Sequence, residues 1–218
     1  MSTWLHRTLT SSIGRKVILA LTGLGLIGFL VVHLAGNLTL YADRSGEAFD
    51  GYAHALESNP LLPVAEIGLL VLFAIHIGLA LKLQFENREA RTQRYAARAN
   101  HGQKTAGSQS MLLTGLLVLG FLVLHLIDFR FASRAPEGLA HMVRETLSKP
   151  LHGIAYAAFM VMLTLHLSHG FQSAFQSLGA NHPRYAPLLR KAGIGLAVVL
   201  GIGFASFPIV LIIQGPPK

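Results

Sequence analysis

The sequence predicts an all-α integral membrane protein with five transmembrane helices in a single domain covering residues 1–218. Of its residues 52% are hydrophobic and only 13% are charged, which leaves too few polar side chains to cover a soluble globule of this size. Five apolar stretches are each long enough to cross the hydrocarbon core of a bilayer, which is about 30 Å thick. The charged residues lie mainly between these stretches, so we expect a membrane to be the solvent.

The first apolar stretch begins after Arg15 and Lys16 and continues without a charged residue to Ala42. The apolar core of a secretory signal has only about 7–15 residues, and no small-residue cleavage site precedes the charged segment that follows this stretch. We therefore expect a retained transmembrane helix over about residues 17–41.

The next four helices are predicted from apolar runs bounded by proline, glycine or charged residues. Prolines stand at or before the first turns of the second and fourth helices, where their missing N–H donor is harmless: Pro60, Pro63 and Pro150. The predicted bounds are about 62–82, 109–128, 151–175 and 191–213, the last of which ends before Gly215. The long connection at 83–108 is expected to be partly helical, and no repeat with a period of 20–50 residues is found.

Lysine and arginine are distributed unevenly between the two sides of the predicted membrane domain. Twelve of the 18 lie at the N-terminus and at loops 83–108 and 176–190 with their flanking positions, whereas the other side has six, mixed with eight of the ten acids. By the positive-inside rule the N-terminus lies in the cytoplasm and the C-terminus outside the cell membrane. The cationic cytoplasmic face suits anionic lipid head groups or an acidic partner subunit, and charge alone does not separate these. The net charge of +8 is thus assigned to topology and not to nucleic-acid binding.

The chain contains no cysteine. This excludes disulfides, thiolate metal sites, iron–sulfur ligation and the covalent attachment of c-type haem. A haem held by this chain must therefore be bound non-covalently, through histidine or methionine.

Each of the first four helices carries an interior histidine: His33, His76, His125 and His166. Ionisable residues are costly inside a bilayer and usually serve a function there. An interhelical hydrogen bond or a water-filled cavity explains any single one as readily as a ligand role does. Four such residues in four successive helices favour a shared role as metal ligands.

The depths of these histidines determine which of them can share an iron. His33 and His125 lie 17 and 18 residues from the cytoplasmic ends of their helices, or about 26 Å along the axis, and therefore toward the outer face. His76 and His166 lie on helices that run the opposite way, each 16 residues from the outer end, and therefore toward the cytoplasm. We predict two b haems within a bundle of the first four helices, an outer one ligated by His33 and His125 and an inner one ligated by His76 and His166.

Bis-imidazole ligation leaves no open position at the iron, so such haems carry electrons and bind neither oxygen nor substrate. Small residues one turn from a ligand, at Gly36, Ala80 and Gly170, would let a flat macrocycle approach the helix, although they also favour ordinary helix packing. His169 competes with His166 for the fourth ligand position. It lies nearer the cytoplasm by about 4.5 Å and fits the depth of the inner pair less well.

Two carboxylates lie near the outer ends of predicted helices. Glu66 stands in the first turns of the second helix, and Asp128 ends the third beside the outer histidines. Either would relay protons to a bound quinone, or would reach interfacial water without such a role. The remaining histidines fall in loops or near helix ends and are assigned no role: His6, His54, His101, His141, His152 and His182.

Four segments resemble the membrane-anchor cytochrome b of succinate dehydrogenases and fumarate reductases, in its two-haem, single-polypeptide form. They are SSIGRKVILALTGL entering the first helix, HLAGNL around His33, EAFDGYAHALES before the second helix and HLSHGFQSAFQSLG closing the fourth. The likeness extends over nearly the whole chain. The family's haem ligands lie one per helix in its first four helices, which implies His33, His76, His125 and His166 here. His169 is an addition to that pattern, and no quinone-site residue is carried over.

The resemblance implies the anchor subunit of a succinate dehydrogenase or fumarate reductase, with a flavoprotein subunit and an iron–sulfur subunit on its cytoplasmic face. Electrons would pass between these subunits and a membrane quinone, menaquinone or ubiquinone, through the two haems. The succinate-oxidising site would lie on the partners, because this chain has no cysteine for clusters and no soluble domain large enough for a flavin. Two other interpretations stay open: a two-haem cytochrome b of a formate dehydrogenase or hydrogenase, and a haem-free transporter with histidine proton relays.

Overall fold

The computed structural model describes residues 6–7, 11–89, 106–134, 136–180 and 182–217, without the side chains of 88–89 and 106–109. This part of the chain contains no strand and includes five helices long and apolar enough to span a membrane. The predicted all-helical, five-span fold class is confirmed at that level.

The main helices are α1 (Ser12–Asn37), α2 (Glu47–Glu57), α3 (Leu62–Glu89), α4 (Ala106–His125), α5 (Leu139–Ser148), α6 (Pro150–Ser177) and α7 (Ala186–Gln214). A 3-10 turn, Leu38–Tyr41, extends α1, and a π-helical turn, Leu126–Arg130, extends α4. The five candidate spans are α1, α3, α4, α6 and α7.

The spanning helices are longer than predicted because their polar ends continue the helix beyond the apolar core. α1 begins at Ser12, where the Ser11 hydroxyl accepts a 3.0 Å hydrogen bond from the Gly14 N–H and caps the helix. α3 continues to Glu89, into the connection that was expected to be partly helical. The rest of that connection, residues 90–105, lies outside the described part of the chain.

Two short amphipathic helices, α2 and α5, were not predicted, because neither is long or apolar enough to register as a span. Asp43 accepts hydrogen bonds from the N–H groups of Ala48 at 2.9 Å and Glu47 at 3.1 Å, and so caps α2. Backbone hydrogen bonds, that of Ala48 above all, hold the pKa of Asp43 below its usual range. Asp50 accepts a 2.9 Å hydrogen bond from the Ala140 N–H and ties α2 to α5. We call this end of the bundle the α2/α5 side and the end where α1 begins the N-terminal side.

Acidic and basic side chains on the α2/α5 side pair with one another. The ion pairs are Arg134 with Glu57, Arg130 with Glu66, and Lys149 with Glu145. The Arg134 guanidinium holds the pKa of Glu57 below its usual range. At the N-terminal side, Arg15 of α1 pairs with Glu86 of α3 and fastens these two helices together.

α6 lies at the centre of the bundle and packs against α1, α4, α5 and α7. Its contact with α7 is the most extensive, because Gly193 lies on the Phe171 ring and Gly201 on the Thr164 side chain. By contrast, α3 packs mainly against α1, and its most apolar 18-residue segment contains no buried residue. Helix α3 therefore lies at the edge of the bundle, with most of this segment on the surface.

Candidate functional site

His33 from α1 and His125 from α4 face each other inside the bundle. Their ring centroids are 5.9 Å apart and their ring planes make an angle of 86°. A metal–imidazole bond is about 2.0–2.1 Å long, and the ligating nitrogen lies about 1.1 Å from the centre of its ring. Two histidines on opposite sides of one metal therefore have ring centroids about 6 Å apart. The observed spacing is therefore compatible with a shared metal, in the pair that the depth argument selects.

Aromatic side chains surround this pair. Phe29 stacks on His33 at 5.2 Å between centroids, and Phe204 of α7 lies 5.7 Å from the same ring. Phe121 and Phe129, four residues before and after His125, lie 5.8 and 5.3 Å from its ring, so they flank the histidine and do not simply face lipid. Phe204 was missed because the fifth helix was assigned no part in the site. The shell covers much of both imidazole rings, which are partly buried.

The outer histidines lack good hydrogen-bond partners. Nδ1 of His125 is buried and has no partner in the described residues. The Asn37 amide nitrogen lies 3.4 Å from each ring nitrogen of His33, while it donates a 2.7 Å hydrogen bond to the His33 carbonyl. A buried polar atom without a partner costs about 1–3 kcal/mol. Coordination of Nδ1 itself to a metal would remove that cost, whereas ligation through Nε2 would leave the atom unpaired, so the fit to a haem iron at this level rests on the spacing of the two rings.

The inner histidines are each held by a threonine of a neighbouring helix. His76 Nδ1 lies 3.3 Å from Thr22 Oγ1, and His166 Nδ1 lies 3.3 Å from Thr114 Oγ1. Each threonine precedes the outer histidine of its own helix by eleven residues, or about 16 Å of helix axis. His76 and His166 are also close enough to interact electrostatically. The four histidines thus lie at two levels.

Thr22 and Thr114 were missed, although the sequence carries a signal that would have found them. Residues 22–34 read TGLGLIGFLVVHL and residues 114–126 read TGLLVLGFLVLHL, with nine of 13 positions identical. The two copies are 92 residues apart, which is well beyond the 20–50-residue period of a repeat protein. Each copy contains a threonine that contacts an inner histidine and, eleven residues later, a histidine of the outer pair.

The small residues next to the histidines do not all serve the same purpose. Gly36 was a candidate for leaving room beside a macrocycle. A side chain at Gly36 would instead collide with the Tyr52 ring, so this glycine makes room for α2. At Gly170, one turn after His166, a Cβ atom would meet nothing within 4 Å. Gly170 therefore leaves free space beside an inner histidine.

Asp128 lies in the π-helical turn that follows His125 and forms a polar cluster with two residues of α6. Its Oδ2 accepts a 2.5 Å hydrogen bond from the Tyr156 hydroxyl and lies 2.8 Å from His152 Nε2. The Tyr156 ring is 6.4 Å from the ring of His125. His152, which was assigned no role, is a partner of Asp128 and belongs to this cluster. A carboxylate, a phenol and an imidazole thus meet beside the outer histidines.

Glu66 and Asp128 were equal candidates for proton transfer, and their surroundings differ. Glu66 accepts two hydrogen bonds from Arg130, at 3.0 and 3.1 Å, in a partly exposed ion pair. The Asp128 side chain is only 14% exposed and touches groups that can exchange a proton. Asp128 is therefore the better candidate.

His169 is partly buried and lies close enough to His166 to interact with it electrostatically. The buried threonine of α4 is hydrogen-bonded to His166. The preference for His166 as the fourth ligand stays a prediction.

In the described ranges, no group of three or more His, Cys, Asp or Glu side chains is placed to hold a metal ion. A bis-imidazole haem takes only two protein ligands per iron, because the porphyrin supplies the other four. This observation therefore does not bear on the histidine pairs.

No protein-family model matches the chain, and neither a curated protein nor a solved structure matches it.

Proposed function

We propose that this chain is the membrane-anchoring cytochrome b subunit of a succinate:quinone oxidoreductase. The observation that carries the proposal is the arrangement of four membrane histidines at two levels about 16 Å apart. It is supported by the 5.9 Å separation of the His33 and His125 rings. A transporter with scattered histidine relays has no need of such matched pairs.

In this proposal an outer b haem is held by His33 and His125 and an inner one by His76 and His166. The aromatic shell around the two rings supports the outer site. The matched threonine contacts of His76 and His166 and the room beside Gly170 support the inner one. When bound, the haems supply one-electron transfer, and the chain's own residues hold them and separate the two levels.

Quinone chemistry requires protons as well as electrons, and the Asp128 cluster offers them near the outer pair. Asp128, His152 and Tyr156 form a hydrogen-bonded set of three groups that can each hold or pass a proton. We place the exchange with a membrane quinone, menaquinone or ubiquinone, at this end of the bundle. Protons then enter or leave on the α2/α5 side.

The flavoprotein and iron–sulfur subunits dock, in this proposal, on the N-terminal side. Six charged residues of the α2/α5 side form three ion pairs, and five exposed basic residues of the N-terminal side form no salt bridge within the described residues: Lys16, Lys82, Arg184, Arg190 and Lys191. An unpaired cationic surface attracts an acidic partner and also anionic lipid. Positive-inside topology makes this side cytoplasmic.

Reversing several charges of the basic connection tests the docking surface. The residues are Arg88, in the last turn of α3, and Arg91, Arg94 and Arg98, which lie outside the described part of the chain. Exposed ion pairs contribute about 0.2–1 kcal/mol each, so four reversed charges should lower recovery of the soluble subunits by about tenfold or more. The measurement is co-purification on a tagged chain, together with reduction of the haems by succinate.

Arg44→Glu, an exposed substitution on the opposite side, is the control and should leave recovery unchanged. If the charge reversals leave the yield of the complex unchanged but weaken binding to anionic vesicles, the basic surface serves lipid binding and topology and not docking. Co-purification of a formate dehydrogenase or hydrogenase in place of the succinate-oxidising subunits would reject the proposed complex.

A further inference from the structure

We infer that Thr22 and Thr114 are positioning residues of the inner haem site, each fixing the tautomer and the ring orientation of a histidine on the neighbouring helix. The inference rests on the proposed function, since it assigns His76 and His166 to an iron. It adds a second layer of residues to that site, which neither the family resemblance nor the depth argument supplies.

The hydroxyl proton of each threonine is already committed to its own helix. Thr22 Oγ1 donates to the carbonyl of Ile18 at 2.9 Å or Leu19 at 3.0 Å. With its proton on a helix carbonyl, the threonine oxygen accepts a hydrogen bond from His76, whose Nδ1 carries the proton in this arrangement. Nε2 is then left with its lone pair, which is the form of imidazole that binds iron.

The same arrangement holds His166. Thr114 Oγ1 donates to the carbonyl of Ser110 at 3.0 Å or Met111 at 3.3 Å. Two independent helix pairs thus repeat one hydrogen-bond pattern.

Burial makes these bonds hard to replace. Thr22 is 6% exposed and Thr114 is 2% exposed, and among the described residues the only other buried polar or charged side chain is Ser148. Water cannot reach either threonine to take over its role. A buried donor that loses its acceptor stays unsatisfied, so the orientation of the histidine depends on the threonine.

A glycine follows each threonine and lets the imidazole lie against the helix. A Cβ atom at Gly23 would lie 3.2 Å from His76 Cε1, and one at Gly115 would lie 3.3 Å from His166 Cε1. Both distances are tighter than ordinary van der Waals contact. The two residues therefore act together. The threonine hydrogen-bonds the imidazole and orients it, and the glycine lets the ring pack closely against the helix.

The outer pair has no such arrangement, because His125 has an unpaired ring nitrogen and His33 has only the distant Asn37 amide. Helices α1 and α4 accordingly serve both levels: each gives a ligand to the outer site and orients a ligand of the inner site. Loss of a threonine should therefore affect the haem on the other level from the histidine of its own helix.

Thr22→Val and Thr114→Val test this, because valine keeps the shape of the side chain and removes the acceptor. In detergent-purified complex, retention of the inner haem should fall by roughly tenfold, as is typical when a partner of a metal-bound histidine is removed. The inner midpoint potential should move to a more positive value, because the imidazole becomes a weaker donor. The outer haem should keep its spectrum and potential. Serine at either position should restore wild-type behaviour.

Thr164→Val is the matched control. Thr164 likewise donates to the carbonyl four residues before it, that of Met160, but it packs on Gly201 of α7, and within the described residues it has no hydrogen bond to a histidine. It should leave both haems unchanged. Gly23→Ala should disturb the inner haem alone, and it tests the same arrangement if a valine variant accumulates poorly.

A wild-type chain without haem would reject the proposed function. Suppose instead that the wild type holds two haems. If the valine variants then change both haems equally, or if the valine and Gly23→Ala variants leave the inner haem unchanged, the positioning role is overturned and the proposed function stands.

Discussion

Replacing His33 or His125 with alanine should remove or strongly perturb the outer haem and preserve the inner one, whereas replacing His76 or His166 should do the reverse. Loss of one axial imidazole leaves the iron five-coordinate or free to recruit another ligand, which changes its spin state and potential and weakens retention of the macrocycle. The two levels are about 16 Å apart along the helices, so the second haem should survive. Low-temperature difference spectra and redox titrations of the four variants measure this.

His169→Ala is the control for the fourth ligand and should retain both haems. If the His33 and His76 variants lose the same spectral component, the pairing by depth is wrong. If His169→Ala loses the inner haem while His166→Ala keeps it, the fourth ligand is His169.

Asp128→Asn should lower the transfer of electrons from succinate to quinone by about 100-fold or more, because positioned proton transfer typically contributes 10²–10⁴-fold. The amide can still occupy the space between Tyr156 and His152 but cannot accept and release a proton. Both haems should be retained and should still be reduced by succinate. Quinone-dependent turnover and haem reduction, measured on one preparation, separate these effects.

Glu66→Gln removes the other carboxylate at this end of the bundle and should leave quinone turnover within about twofold of wild type, since its partner is an exposed arginine whose ion pair contributes little. Equal losses in both variants would point to a general effect of charge. Full activity of Asp128→Asn would exclude the cluster from the quinone reaction.

The five spans were predictable because hydropathy reports the physical requirement that a lipid-crossing helix be apolar for about 20 residues. The two histidine levels were predictable for a related reason. A helix advances a fixed 1.5 Å per residue, so position along the sequence converts directly into depth. Neither inference requires knowledge of how the helices pack.

The residues that were missed depend on contacts between helices. Taken alone, Thr22 does not differ from other threonines of membrane helices. Its contact with His76 of α3 is visible only in the structure. His152 falls near a helix end, and only the π-helical turn that carries Asp128 brings the two together. Gly36 was a candidate for leaving room beside a haem. The space is taken by Tyr52 of α2, a helix that hydropathy does not detect.

The most direct test of the central claim is the haem content of the purified chain, measured as the pyridine haemochrome and as the dithionite-reduced minus oxidised spectrum. Two b haems in bis-histidine sites predict close to two protohaems per chain, extractable with acidic acetone because no cysteine anchors them. A folded chain that binds its partner subunits and contains no haem would contradict the account.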